Sequence, residues 1–263
     1  MKSPEKVIHH IVEWMKDYAL TNHQKGFVVG VSGGIDSAVT STLCARTGLP
    51  TIALEMPIHQ QSDQVSRAQE HLQWLKNNYP QVETHRVSLT EVFESLRQSL
   101  PATNETTKAA LSLANTRARL RMSTLYYFAA LNNFLVAGTG NKIEDFGVGF
   151  YTKYGDGGVD LSPIADLMKS EVYQLASEMN IITSIQEAAP TDGLWADNRT
   201  DEEQMGATYD ELEWAMRYDS QGANTTLSQR QEEVLKRYRA LNRQNQHKML
   251  PIPVCEIPEN LLI

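Results

Sequence analysis

The run GFVVGVSGGIDSAV, Gly26 to Val39, limits the fold more than any other part of the chain. Phe27 to Val31 has the unbroken aromatic and β-branched character of a strand covered on both faces, as in a parallel sheet between helix layers. Two glycines interrupt it. DSAVTSTLCART then has helical character up to Gly48, a residue suited to a left-handed cap. The alternation repeats with TIALEMP before SDQVSRAQEHLQWLKNN, and with VETHRVSL before TEVFESLRQSL. A long helical pattern from Ala109 to Asn132 precedes a fourth apolar run, FLVAG. Strands and helices at this spacing are βαβ crossovers, which predicts a doubly wound α/β fold, a parallel sheet flanked by helices. Such sheets bind ligands beyond the carboxyl ends of their strands, where strand order reverses.

At 263 residues, with 41% hydrophobic and 21% charged, the chain has the size of one large domain, 1–263. Two C-terminal helices are expected near Glu202–Tyr218 and Ser228–Gln246. Three prolines in HKMLPIPVCEIPENLLI argue against further regular structure. A net charge of -8 disfavours a broad nucleic-acid surface, so no nucleic-acid partner is expected. Cys44 and Cys255 have neither disulfide-framework nor zinc spacing and read as packing residues in a reducing compartment. His9, His10, His23, His59, His71 and His85 show no metal-ligand spacing either. The N-terminal MKSPEKVIHHIVEWMKDYAL is amphipathic rather than a signal peptide, and no apolar run reaches the roughly 20 residues of a membrane span. The expectation is a cytoplasmic protein with no membrane partner.

A glycine-rich turn between strand and helix lets backbone N–H groups converge on an anion, with the helix dipole adding attraction. Ser32 and Ser37 add hydroxyls, but Asp36 would repel a phosphate unless a divalent cation bridged the two. The bland alternative is that Asp36 only caps the helix. No lysine follows the glycines, so the loop is not of the G-x-x-x-x-G-K-[ST] kind, and no G-x-G-x-x-G is present. A loop without that lysine need not stabilise transfer of the terminal phosphoryl group. It is free to hold pyrophosphate as a leaving group.

SGGIDS after a buried strand resembles the pyrophosphate loop of the N-type ATP pyrophosphatases. Further blocks are similar, in order, to those of the NAD synthetase family within that group: NTRARLRM, GTGNKIED, TKYGDGGVDLSPIADLMKSEV, PTDGLW with TDEEQMGATYDELE, and the late His247-Lys248. The resemblance spans about Val28 to Lys248. It implies an adenine nucleotide alpha hydrolase-like fold and the short, ammonia-using form of the enzyme. The implied reaction converts deamido-NAD, ATP and ammonia to NAD, AMP and pyrophosphate through an acyl-adenylate, in a homodimer that shares its dinucleotide sites.

The resemblance also implies site residues. ATP would lie on Gly30, Val31, Ser32, Gly33, Gly34, Ile35, Asp36 and Ser37, with Thr139, Lys169 and Thr191. Magnesium (Mg2+) would be held by Asp36 and Glu144, and Asp36 and Lys169 would act in catalysis. Between Thr139 and Lys153 the chain carries one residue more than shorter relatives, which leaves the adjacent Asp145 as an alternative to Glu144. Deamido-NAD would meet Arg119, Lys153, Asp160, His247 and Lys248. Arg117, Arg119 and Arg121 alternate along one helix and point in different directions, so they cannot all reach one ligand; the resemblance singles out Arg119, and Arg117 and Arg121 read as solvated or paired.

Competing readings are a tRNA-modifying adenylating enzyme, which would want a basic face or a cysteine pair, and a nucleotide-binding protein without catalysis, which would lack the carboxylates. Glu83–Thr90 and Ser184–Gly206 are expected to be mobile, as lids over a water-sensitive intermediate.

Overall fold

A computed structural model describes residues 1–60, 62–104, 106–191, 200–222 and 226–262. The first half alternates as expected: α1 (Pro4–Thr21), β1 (Phe27–Gly30), α2 (Ile35–Arg46), β2 (Thr51–Glu55), α3 (Ser62–Asn78), β3 (Val82–Arg86), α4 (Thr90–Ser99), α5 (Thr106–Asn132) and β4 (Leu135–Val136). All four strands are parallel, in the order β3-β2-β1-β4, with Phe27 opposite Thr51 on one side and Leu135 on the other. The chain adds strands outward from β1 to β3, then crosses to the far side of β1. Strand order therefore reverses between β1 and β4, and the turns after these two strands face the resulting crevice.

Period-two alternation sends Phe27, Val29, Val31, Ala53, Leu135 and Ala137 into a core shared with α1, α2 and α6 (Lys169–Glu178). Val28, Ile52, Leu54 and Val136 point the other way, against Leu89, Phe93 and Ala129 of the α4–α5 side. Both faces are covered, which is why the strands read as continuous apolar runs. FLVAG overstates β4. After Val136 only Ala137 continues, as a single parallel bridge to Leu161, and Gly138 N–H turns to the Leu161 carbonyl at 2.8 Å.

The second half builds a helical layer beside the crevice. After a π-helix at Ile143–Val148 come α6, α7 (Thr183–Gln186), α8 (Asp201–Met205), α9 (Tyr209–Gln221) and α10 (Gln229–Met249). Ile143, Val148, Met205, Leu212, Val234 and Tyr238 form its own buried cluster. Thr200, Thr208 and Ser228 cap α8, α9 and α10, each in a reciprocal capping box.

Two expectations about the tail need correction. Glu259–Leu261 forms a 3₁₀ turn, which Pro258 precedes without needing an N–H donor. Cys255 is exposed, as is every described residue from Leu250 onward, so only Cys44 is a packing residue. Of the two segments expected to be mobile, Glu83–Thr90 comprises the outer strand and its turn, with Val87 N–H on Glu55 and Leu89 N–H on Pro57. The other includes residues 192–199, which lie outside the described residues. No helix among the described residues is long and apolar enough to cross a membrane.

Candidate active site

The turn after β1 depends on Gly33, which has φ +85° and would place a Cβ 2.6 Å from the Gln64 carbonyl of α3. A side chain there would be strained twice over, by its own backbone and by the crossing helix. Ser37 locks the turn: its Oγ accepts from Ser32 N–H at 3.1 Å and donates to the Gly34 carbonyl at 2.9 Å. α2 then starts at Ile35, so its unpaired N–H groups and Asp36 face the crevice end of β1.

Asp36 is the first member of a buried charge cluster. Lys169, the first residue of α6 and only 4% exposed, places Nζ 2.5 Å from Asp36 Oδ2 and 3.2 Å from Glu144 Oε1. The helix dipole disfavours a lysine at that position, and two carboxylates offset it. Glu213 of α9 fixes the start of α6 by accepting from Ser170 N–H at 2.9 Å and from Ser170 Oγ at 2.8 Å. Burial alone would drive the Lys169 ammonium down, but Asp36 and Glu144 outweigh it and hold it above the usual lysine value. Burial, reinforced by Glu144, raises Asp36 against the pull of Lys169 and Asn141. One cation serves two carboxylates, and the Asp36 shift expresses the cost of burying a carboxylate that Lys169 only partly offsets.

Asn141 joins the two acids through opposite ends of one amide. Its Nδ2 donates to Asp36 Oδ1 at 3.2 Å, and its Oδ1 accepts from the Ile143 and Glu144 N–H groups at 3.1 Å each. A π-helix, Ile143–Val148, follows, and its i→i+5 pairing sets the direction of each of its side chains. It also separates the two candidate acids. Glu144 lines the crevice and meets Lys169 and the Tyr209 hydroxyl, the latter at 2.6 Å. Asp145 lies over Gly140, where a Cβ would come within 2.1 Å of its carboxylate. Burial and the charges of Glu144, Asp156 and Asp36 push Asp145 up to about 8. Burial, with Glu144 next, pushes the Tyr209 phenol up, so it remains a donor.

A cavity of about 260 Å³ opens above this cluster. Gly30 to Ser37, Thr139, Glu144, Lys169 and Thr191, all expected at an ATP site, line it together. So do Glu55, Gln60, Arg121, Asp156 and Asp201, which carried no assignment from sequence. Arg121 is indeed paired, to the Met56 carbonyl at 3.0 Å and Gln60 Oε1 at 2.8 Å, but it is paired at the cavity wall. Glu55 is 4% exposed; its Oε2 accepts from Gln69 and Arg86 while Oε1 has no partner. The available signal for it was a lone carboxylate ending the apolar strand TIALE at the carboxyl edge of the sheet.

Hard oxygen donors suit magnesium, which commonly takes one or two carboxylates and completes its shell with water and substrate phosphate. Asp36 and Glu144 fit that pattern: both touch one ammonium, beside an anion-binding turn. The described residues contain no group of three or more His, Cys, Asp or Glu that could hold a metal.

The residues expected at deamido-NAD lie outside this cavity. Arg119 Nε and Nη2 both donate to the Lys153 carbonyl at 3.3 Å, and Lys153 Nζ donates to the His247 carbonyl at 2.6 Å. Lys248 Nζ donates to Gly149 at 2.6 Å and Tyr151 at 2.8 Å. These four form one basic group. Asp160 is separate in its bonding: it accepts from Val136 N–H at 2.8 Å and the Tyr126 hydroxyl at 3.0 Å, closing the outer edge of β4.

A family model described as NAD synthase matches residues 7–251. The NH(3)-dependent NAD(+) synthetase of Syntrophomonas wolfei is 36% identical over 263 residues, covering 98% of this chain and 99% of the relative. That of Archaeoglobus fulgidus is also 36% identical, with 98% and 99% covered. Among solved structures, NMN synthetase from Francisella tularensis superposes with TM-score 0.84 at 32% identity, covering 97% of this chain and 99% of the other. NH3-dependent NAD synthetase from Campylobacter jejuni gives TM-score 0.77 at 26% identity, covering 97% and 100%. Motif order, strand order and near-complete coverage of full-length relatives agree, and the chain belongs to the NAD synthase family.

Proposed function

We propose that this chain, a single domain over 1–263, is an ammonia-dependent NAD synthetase of the cytoplasm. It uses ATP to activate the nicotinate carboxylate of deamido-NAD as an acyl-adenylate, which ammonia converts to NAD with release of AMP and pyrophosphate. The observation that carries the reading is the Lys169-bridged pair Asp36 and Glu144 beside the glycine turn, in a member of this family.

Two anions must meet when a carboxylate attacks the α-phosphate, so the site has to offset negative charge. The turn from Gly30 to Ser37, through the N–H groups that open α2, holds the leaving pyrophosphate, and Thr139 and Thr191 contact ATP from the facing turns. Lys169, kept charged by its two carboxylates, donates to a phosphate oxygen. Asp36 and Glu144 would hold magnesium, whose charge polarises the phosphoryl group. No side-chain nucleophile is required, because the substrate carboxylate and then ammonia supply both attacks. Arg119, Lys153, Asp160, His247 and Lys248 position the dinucleotide in a site that two subunits of a homodimer complete together.

Incubation with ATP, magnesium, deamido-NAD and ammonium should yield NAD and AMP in equal amounts. Absence of AMP under all such conditions would refute the proposal. The likeness to an NMN synthetase gives one second reading, the same amidation of nicotinate mononucleotide. The ratio of kcat/KM for the two acids decides between them.

A further inference from the structure

We propose that Tyr209 is a positioning residue for Glu144: it occupies one carboxylate oxygen so that the other is turned to the cation. The inference rests on the reading of Glu144 as a metal ligand and adds how that ligand is aimed. Tyr209 lies in TYDELE, and the sequence assigned it no part in the site.

Its backbone is held from two sides. Thr208 and Glu211 close a capping box around the first turn of α9, and Tyr209 N–H donates to Glu202 Oε1 at 2.8 Å. The ring is 5% exposed within the helical-layer core, and its face lies 4.7 Å from Lys169 Nζ. The hydroxyl has one proton and two carboxylates within reach, Glu144 Oε1 at 2.6 Å and Asp201 Oδ2 at 3.4 Å. The shorter contact takes the proton. Lys169 donates to the same Glu144 oxygen at 3.2 Å, so Oε1 carries both protein contacts and Oε2 neither. A carboxylate anchored through one oxygen can rotate little, which leaves Oε2 with a fixed direction. Outer partners of metal ligands commonly act in this way, and their loss costs about 10-fold or more in metal affinity.

The test is Tyr209→Phe, which keeps the ring beneath Lys169 and removes only the hydroxyl. With Mn2+ as the probe and α,β-methylene-ATP present, binding is followed by the EPR signal of the free ion. The expected result is a Kd for Mn2+ raised ~10-fold, with kcat at saturating metal close to the original and the metal concentration for half-maximal rate raised in parallel. A purely structural role would lower the active fraction and leave Kd in place. Glu144→Gln and the double variant complete a cycle: if Tyr209 acts through Glu144, removing its hydroxyl from the Gln variant changes Kd no further. An unchanged Kd in Tyr209→Phe beside a weakened Glu144→Gln overturns the positioning role alone. An unchanged Kd in Glu144→Gln overturns the ligand assignment and the proposal with it.

Discussion

The two sets of charged residues drawn from the sequence sit in opposite physical settings. Asp36, Glu144 and Lys169 are gathered in the crevice between β1 and β4, and each answers the charge of another. Arg119, Lys153 and Lys248 donate instead to backbone carbonyls, which orient the side chains, and of the three Lys248 also lies in the field of the buried Asp156. The first set is finished within one chain, with its acids tied together by Asn141. The second is an oriented group of cations beside the cavity, with Arg119 exposed and Lys153 and Lys248 half-buried. This is the arrangement expected if adenylation is organised by one subunit and the dinucleotide site is completed by two.

The sharpest way to break this contrast is Asp36→Asn. The substitution keeps the shape, retains an acceptor towards Lys169 and removes the negative charge. If the crevice holds the reacting phosphates, AMP formation should fall ~1,000-fold, the scale on which a single group aimed at transition-state charge contributes. Rapid-quench measurement of AMP against active protein checks it. Near-normal turnover would show that the reaction is organised elsewhere and that the cluster is only structural.

The crevice was legible because its elements are local. A strand, two glycines and a helix start lie within GVSGGIDS, and the alternation of apolar runs with helical patterns set the rest of the sheet. What stayed hidden depends on partners distant in the chain. β4 stops short because Gly138 is turned by Leu161, and Arg121 reaches the cavity because Met56 and Gln60 face it. Glu55 has meaning only once β2 is known to lie beside β1. Tyr209 reads as an ordinary helix residue until α9 is folded against the π-helix. The choice between Glu144 and Asp145 was open in the sequence; the π-helix that puts Glu144 on the crevice and Asp145 over Gly140 is a property of packing.

The interior under α2 is dry, and His71 of α3 reports on it. Its Nε2 is 2.9 Å from Ser41 Oγ, its Nδ1 has no partner, and its ring stacks on Trp74. A second proton would have to sit on Nδ1 without an acceptor, and burial lowers the imidazole from 6.5 to about 4. The unfolded chain takes up that proton first as the pH falls. The stabilisation is therefore complete above the unfolded value of 6.5 and is lost as pH falls through about 4. A shift of this size corresponds to about 3 kcal/mol across the window. Urea unfolding between pH 7 and 4 should show this slope, flattened in His71→Gln. An equal slope in the variant would mean that the interior under α2 is wetter than its burial implies, and the contrast with the second set would weaken.

The smallest expected effect falls on the second set and sharpens the comparison most. In Arg119→Ala, the Lys153 carbonyl loses two donors and the basic group loses one charge, while no group lining the crevice changes. KM for deamido-NAD should rise ~10-fold, as for the loss of one charge-assisted contact, with KM for ATP held within about twofold. Steady-state kinetics with each substrate varied separates the two constants. Should both rise together, the sets are one continuous site and the division proposed between them fails. If only the dinucleotide constant moves, dilution tests the proposed homodimer: should two subunits complete the dinucleotide site, specific activity falls on dilution while ATP affinity per chain stays level.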